Sequence, residues 1–152
     1  MGERSKVIKH RGFHWEGVDV RRYKTDDGSH RDITRQTILG DEDDERALNQ
    51  ITRYFEIAPG GYSTLERHRH PHTVVVVRGR GTVVLDDGSH AIEQLDCVYV
   101  SPGTLHQFHA SGDEPLGFLC IVDRDRDRPE LPGPADLARL RSTPRVARYI
   151  KV

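Results

Sequence analysis

The sequence predicts an all-β barrel or sandwich, and three observations carry that expectation. Between residues 51 and 122 short apolar stretches recur at close spacing, Gly and Pro separate them, and the helical period is nearly absent. The chain has 152 residues, enough for one packed domain and too few for two.

The elements follow in order. Within residues 1–50, read as an N-terminal extension packing on the barrel, Val18–Tyr23 and Ile33–Leu39 have strand character around a turn at Asp26-Asp27-Gly28-Ser29. The acidic run Asp41–Glu45 then suits a helix start, an acidic ligand patch or, most simply, a solvated loop. Residues 51–123 form the barrel core. Ile51–Ile57 is a strand that Ala58-Pro59-Gly60-Gly61 should break, and Val74–Val77 is closed by Arg78-Gly79-Arg80-Gly81. Thr82–Leu85 ends at Asp86-Asp87-Gly88-Ser89, Cys97–Val100 ends at Ser101-Pro102-Gly103-Thr104, and Gly117–Val122 is the last strand. Residues 124–152 belong to the same domain as a C-terminal arm. It begins in the alternating charges Asp123–Arg128, to be laid along the barrel or to act as a linker, and residues 135–142 suit a short helix. Val146, Tyr149 and Ile150 are expected to dock the tail.

Bulk properties narrow the partners. The formal net charge is −1, so no basic field gathers nucleic acid or an anionic membrane. No stretch reaches the roughly 20 apolar residues that cross a bilayer, and the charged opening Met1–Lys6 leads into no apolar core. The expectation is a cytoplasmic protein with a small-molecule partner. Cys97 and Cys120 stand far apart, outside any C-x-x-C pattern, and are expected as buried small hydrophobes. The Arg78–Gly81 segment, superficially like an RNA-binding box, lacks interleaved aromatics and reads as a solvated turn.

The chemistry is concentrated in histidine. Three of nine histidines fall in Glu66-Arg67-His68-Arg69-His70-Pro71-His72. On an extended strand His68 and His70 share a face about 6–7 Å apart, a spacing from which two imidazoles can meet one ion. His72 keeps the parity, as does Glu66, although Pro71 implies a bend. Such a segment alone is also compatible with a surface strip. A second segment, Ser101–His106, ends a tight turn in a further histidine at a strand entry, with Phe108 on the same inward face and Gln107 and His109 on the other. His10, His14, His30 and His90 have no spaced partners and read as exposed or locally hydrogen-bonded. Trp15 reads as a packing anchor or dimer contact.

These two segments resemble the motifs of the cupin superfamily. Gly60-Gly61, His68-x-His70 and Gly79 or Gly81 follow the first motif; Gly103 and His106 follow the second, with Ser101 in place of its usual Pro and Ala110 in place of its Asn. The resemblance spans about residues 50–123. It implies a double-stranded β-helix, or jelly-roll barrel, and a metal held by His68, His70 and His106. Anchored on Gly79, the alignment puts His72 where the family's Glu stands, giving a four-histidine variant; anchored on Gly81, it puts Val74 there. Imidazole ligands suit Fe, Mn, Cu, Ni or Zn over hard Mg²⁺ or Ca²⁺. The activity implied is a metal-dependent oxidoreductase of dioxygenase type acting on a small organic molecule. The alternatives are a non-catalytic ligand- or metal-binding cupin and a Lewis-acid isomerase or lyase. Glu66 is the nearby acid, as a base, a partner to a ligand, or a plain surface residue. Tyr54, Tyr62, Phe108 and Phe118 are candidate pocket residues whose ordinary alternative is core packing. A homodimer is implied, with the N-terminal strands available to extend a sheet.

Overall fold

A computed structural model describes residues 2–24 and 28–152. The expected turn therefore lies partly outside the described residues, at Asp26 and Asp27. The strands are β1 (His10–Arg11), β2 (His14–Trp15), β3 (Arg21–Arg22), β4 (Arg31–Leu39), β5 (Gln50–Tyr62) and β6 (His72–Arg78). They continue with β7 (Arg80–Leu85), β8 (Gly88–Glu93), β9 (Cys97–Val100), β10 (His106–Ala110) and β11 (Leu116–Asp123). Helices α1 (Pro134–Arg141) and α2 (Pro144–Ala147) follow. Strand order β8-β7-β10-β5-β11-β6-β9, with β4 added beside β5, wraps into the mostly β barrel of the cupin fold. Its C-terminal helices lie outside.

Three local expectations are corrected. The Ala58–Gly61 signal does not end its strand. Gly60, at φ +81°, bends β5, which pairs with β11 through Ile57 and then meets β10 at Tyr62↔His109. One strand thus serves both halves of the barrel, because glycine turns it at no Cβ cost. The Val18–Tyr23 strand shrinks to Arg21–Arg22, paired only with β4. Gly88–Glu93 forms a strand that its own residues hardly announce; the Asp86-Asp87 hairpin folds it onto β7 from Leu85↔Gly88 to Arg80↔Glu93. Of the acidic run, Asp43–Glu45 is a 3-10 turn.

Alternation decides which side chains meet. Ile51, Phe55 and Ile57 of β5, Val74 and Val76 of β6, Phe108 and Ala110 of β10 and Phe118, Cys120 and Val122 of β11 fill the inner core. The opposite face of β10 is buried too. Leu65, Val84 and Leu105 meet Leu140 and Val146 of the two helices, with Tyr149 and Ile150 against them. Gln107, on that outer face as the parity requires, is fully buried there, donating Nε2–H to the Ser63 and Lys151 carbonyls. Cys97 is exposed, contrary to expectation, because alternation along β9 turns Val98 and Val100 inward instead. Among the described residues no helix is long and apolar enough to cross a membrane.

Candidate functional site

A cavity of about 220 Å³ opens at one end of the barrel between β4, β5, β6, β10, β11 and the arm. His68, His72 and His106 converge there, with one nitrogen from each lying within 4.8 Å of the others. His106 opens β10 and His72 opens β6, so two of the three imidazoles sit on strand ends. His68 lies in the loop between β5 and β6, which the Glu66↔His106 bridge and the Gly103 N–H to His68 carbonyl bond (2.8 Å) hold in place.

Local hydrogen bonds aim these rings. His68 Nδ1 lies 2.6 Å from the His70 carbonyl and His106 Nδ1 lies 2.9 Å from the Thr104 carbonyl. A carbonyl only accepts, so each Nδ1 carries the proton and each Nε2 keeps a free lone pair. His68 Nε2 is buried with no hydrogen-bond partner. Burial holds both imidazoles neutral, lowering each to about pKa 4. His72 is lowered as well, by burial and then by His106. Neutral, carbonyl-oriented imidazoles with an orphaned inward nitrogen are the donor set a transition metal takes. Two nitrogens on one ion at about 2.1 Å each stand no more than about 4.2 Å apart, so small ring rotations close the set.

The structure does not bring His70 into this group. Residues 68–71 are loop, so the strand parity expected for 66–72 does not apply to them. The His70 ring stacks on His68 at 3.7 Å between centroids, and its Nδ1 lies 2.9 Å from Asp127 Oδ1. Asp127 also accepts the Arg69 and His70 backbone N–H groups, which, with the His70 ring, hold its carboxyl well below the usual range. The charged arm thus locks the histidine loop, with His70 and Asp127 both on the cavity wall.

The other expected residues separate cleanly. Glu66 is buried on the cavity wall, 2.5 Å from Lys24 Nζ and 3.4 Å from the Tyr23 hydroxyl. Phe108 and Phe118 line the cavity, their rings stacked at 4.6 Å. Tyr54 and Tyr62 do not. Tyr54 points from the outer face of β5, covered by Trp15 at 4.8 Å and Phe13 at 5.9 Å, and its hydroxyl donates to Glu56. Tyr62 lies near His109 on the side away from the cavity.

Sequence reasoning missed Cys120, Arg35, Arg53 and Arg126, all on the cavity wall. Cys120 is a free buried thiol directly across from Arg53, whose Nη2 reaches its Sγ at 3.4 Å. On its other side Cys120 faces Val74, one inward position from His72. One signal was available: Arg53 breaks the apolar inward series Ile51-x-Arg53-x-Phe55-x-Ile57.

Residues 53–122 match the cupin domain family. A protein of Rhodospirillum rubrum named 1-methylthio-D-xylulose 5-phosphate methylsulfurylase is 42% identical over 139 residues, 91% of this chain and 86% of its own. The chain belongs to the cupin family. Two crystal structures carry the likeness over nearly the whole chain. A cupin 2 conserved barrel domain protein from Rhodopseudomonas palustris is 40% identical with a TM-score of 0.88, covering 97% of this chain and all of its own. A cupin 2 domain-containing protein from Halorhodospira halophila is 49% identical with a TM-score of 0.76, covering 99% and 98%. The curated relative is an enzyme whose name describes methylsulfur chemistry, and it lends no support to the dioxygenase expectation.

Proposed function

We propose that this cupin is a metal-dependent enzyme that removes the methylthio group from a phosphorylated 1-methylthio ketose. The observation that carries this reading is Cys120, a free thiol facing the cavity between the imidazole cluster and a guanidinium. The 42% identical methylsulfurylase supplies the substrate class.

In such a ketose the C1–S bond is next to the C2 carbonyl. His68, His72 and His106 would hold the ion, which when bound supplies Lewis-acid polarisation of that carbonyl. Cys120 attacks the methylthio sulfur, forming its disulfide with CH₃S while the C1–S bond breaks and its electrons pass to carbon as the enolate. Arg53 favours the thiolate against the burial that pushes the Cys120 thiol up. Glu66, paired with Lys24, is the carboxylate that can carry the thiol proton to C1. The sulfurs are oxidised and C1 is reduced, so the 1-deoxy ketose leaves with no outside oxidant. A small-molecule thiol then exchanges with the Cys120 methyl disulfide and restores the enzyme.

Metal-loaded protein incubated with 1-methylthio-D-xylulose 5-phosphate, without added thiol, should form one equivalent of deoxy product and a methylthio adduct on the Cys120 peptide by mass spectrometry. Cys120→Ser should form neither while keeping its metal. Intact substrate in the wild-type reaction would overturn the reading, and oxygen uptake in its place would favour the oxygenase alternative.

A further inference from the structure

Three guanidinium groups meet on one wall of the cavity. Arg35 comes from β4, Arg53 from β5 and Arg126 from the arm. Arg35 stands opposite Phe55 and Thr37 opposite Arg53, so the two arginines are diagonal neighbours on the inward face. Among the described residues none of the three joins an ion pair. Of the nearby acids, Glu66 is engaged by Lys24 and Asp127 by the histidine loop, while the exposed Asp41 attracts Arg35 and Arg126 without forming an ion pair with either.

Their hydrogen-bonding capacity is also largely unspent. Arg53 is 9% exposed, and its Nε and that of Arg35 are buried without a partner. Arg53 otherwise touches the Cys120 sulfur and lies over the Phe55 ring at 4.9 Å. Arg126 makes only long contacts from Nη1, to the Asp123 and Arg124 carbonyls at 3.2 and 3.3 Å. An unpaired buried cation such as Arg53 costs stability; Arg35 is half-buried and Arg126 exposed, and both are lowered, by burial first and then by Arg53. An anion bound between them would take up these unspent donors. Three guanidinium forks offer more donors than the two oxygens of a carboxylate accept, and a phosphate monoester brings two charges and three free oxygens.

We propose that Arg35, Arg53 and Arg126 form a phosphate-binding subsite that holds the phosphate end of the substrate across the cavity from His68, His72 and His106. Assigning the phosphate to the substrate rests on the methylsulfur-transfer reading; the anion site itself rests on the arginines. The phosphate fixes one end of an extended sugar, so the methylthio carbon falls near Cys120, on the strand between the two groups.

The test compares metal-loaded wild type with Arg35→Gln and Arg126→Gln, leaving Arg53 to its thiol. Inorganic phosphate should raise the wild-type Tm well above any rise with acetate. Each variant should bind phosphate at least tenfold more weakly, raise KM for the phosphorylated substrate by a similar factor with kcat little changed, and keep its metal. Without phosphate each should melt at or above the wild-type temperature, because a repelling charge has gone. Unaltered phosphate binding, or a phosphate-free Tm well below wild type in both variants, would overturn the subsite and make the arginines structural. Phosphate binding that follows this pattern in a protein that leaves the methylthio ketose intact would sink the transfer reading alone.

Discussion

The two ends of the cavity are built in opposite ways. At the imidazole end the groups are neutral, the protons of His68 and His106 are fixed by the His70 and Thr104 carbonyls, and two of the imidazoles stand where strands begin. At the guanidinium end the groups are charged and mutually repelling, and they come from two strands and an irregular arm. The first arrangement needs only small ring rotations to accept an ion. The second is completed only by what binds, so it reports the ligand's charge.

Substitutions can separate the ends, and the largest effect is expected at the metal. His106→Ala should remove stoichiometric metal by elemental analysis yet leave the phosphate-induced rise in Tm intact; retention of the metal would dissolve the contrast. His72→Ala should act in the same direction. Loss of both responses together would mean that the two ends form one site.

Next in size is the packing that carries the imidazole strand. Leu140 is fully buried against Leu65, Val84 and Leu105 beneath β10. Leu140→Ala should cost about 2–5 kcal/mol in denaturant unfolding, while metal stoichiometry in the folded fraction stays at one. A cost below 1 kcal/mol would show that the C-terminal helices do not brace this end.

A smaller effect tests what braces the other end. Glu45 Oε2 accepts the Gly40, Asp41 and Glu42 N–H groups, its other oxygen pairs with Lys6 at 2.7 Å, and its backbone carbonyl accepts from Arg124 of the arm. Burial opposes the charge of the Glu45 carboxyl, but Lys6 and the backbone donors outweigh it and hold the carboxyl below its ordinary value. A carboxyl lowered by folding stabilises the protein above its unfolded pKa, and that contribution fades as pH falls through the lower folded value. Glu45→Gln should therefore cost about 1–3 kcal/mol at pH 7. The difference from wild type should shrink in urea titrations taken below about pH 4. A pH-independent difference would assign the effect to packing.

Legibility divided along the same line. The imidazoles were visible because three of them crowd into seven residues and the fourth follows a Gly turn, and the resemblance to cupins joined the two segments. The strand reading still misplaced His70, since Pro71 and the Asp127 anchor hold that stretch as a loop and turn its ring behind His68. Tyr54 looked like a pocket residue until its parity with Arg53 was resolved by pairing, which turns one inward and the other toward Trp15. Cys120 looked like a plain core residue because it sits inside the apolar run Gly117–Val122; its guanidinium neighbour Arg53 lies 67 positions away.

Alone, then, the sequence determined the all-β barrel, the strands that build most of it and the histidines at its mouth. These depend on alternation, turn residues and short spacings, which act between near neighbours and can be read in order. Only the tertiary structure decided which three imidazoles converge, which face of β5 lines the cavity, and that three scattered arginines and a thiol share its wall. Those outcomes depend on register between strands and on where the arm is laid, and a shift of one residue in either would exchange the inward set for the outward one.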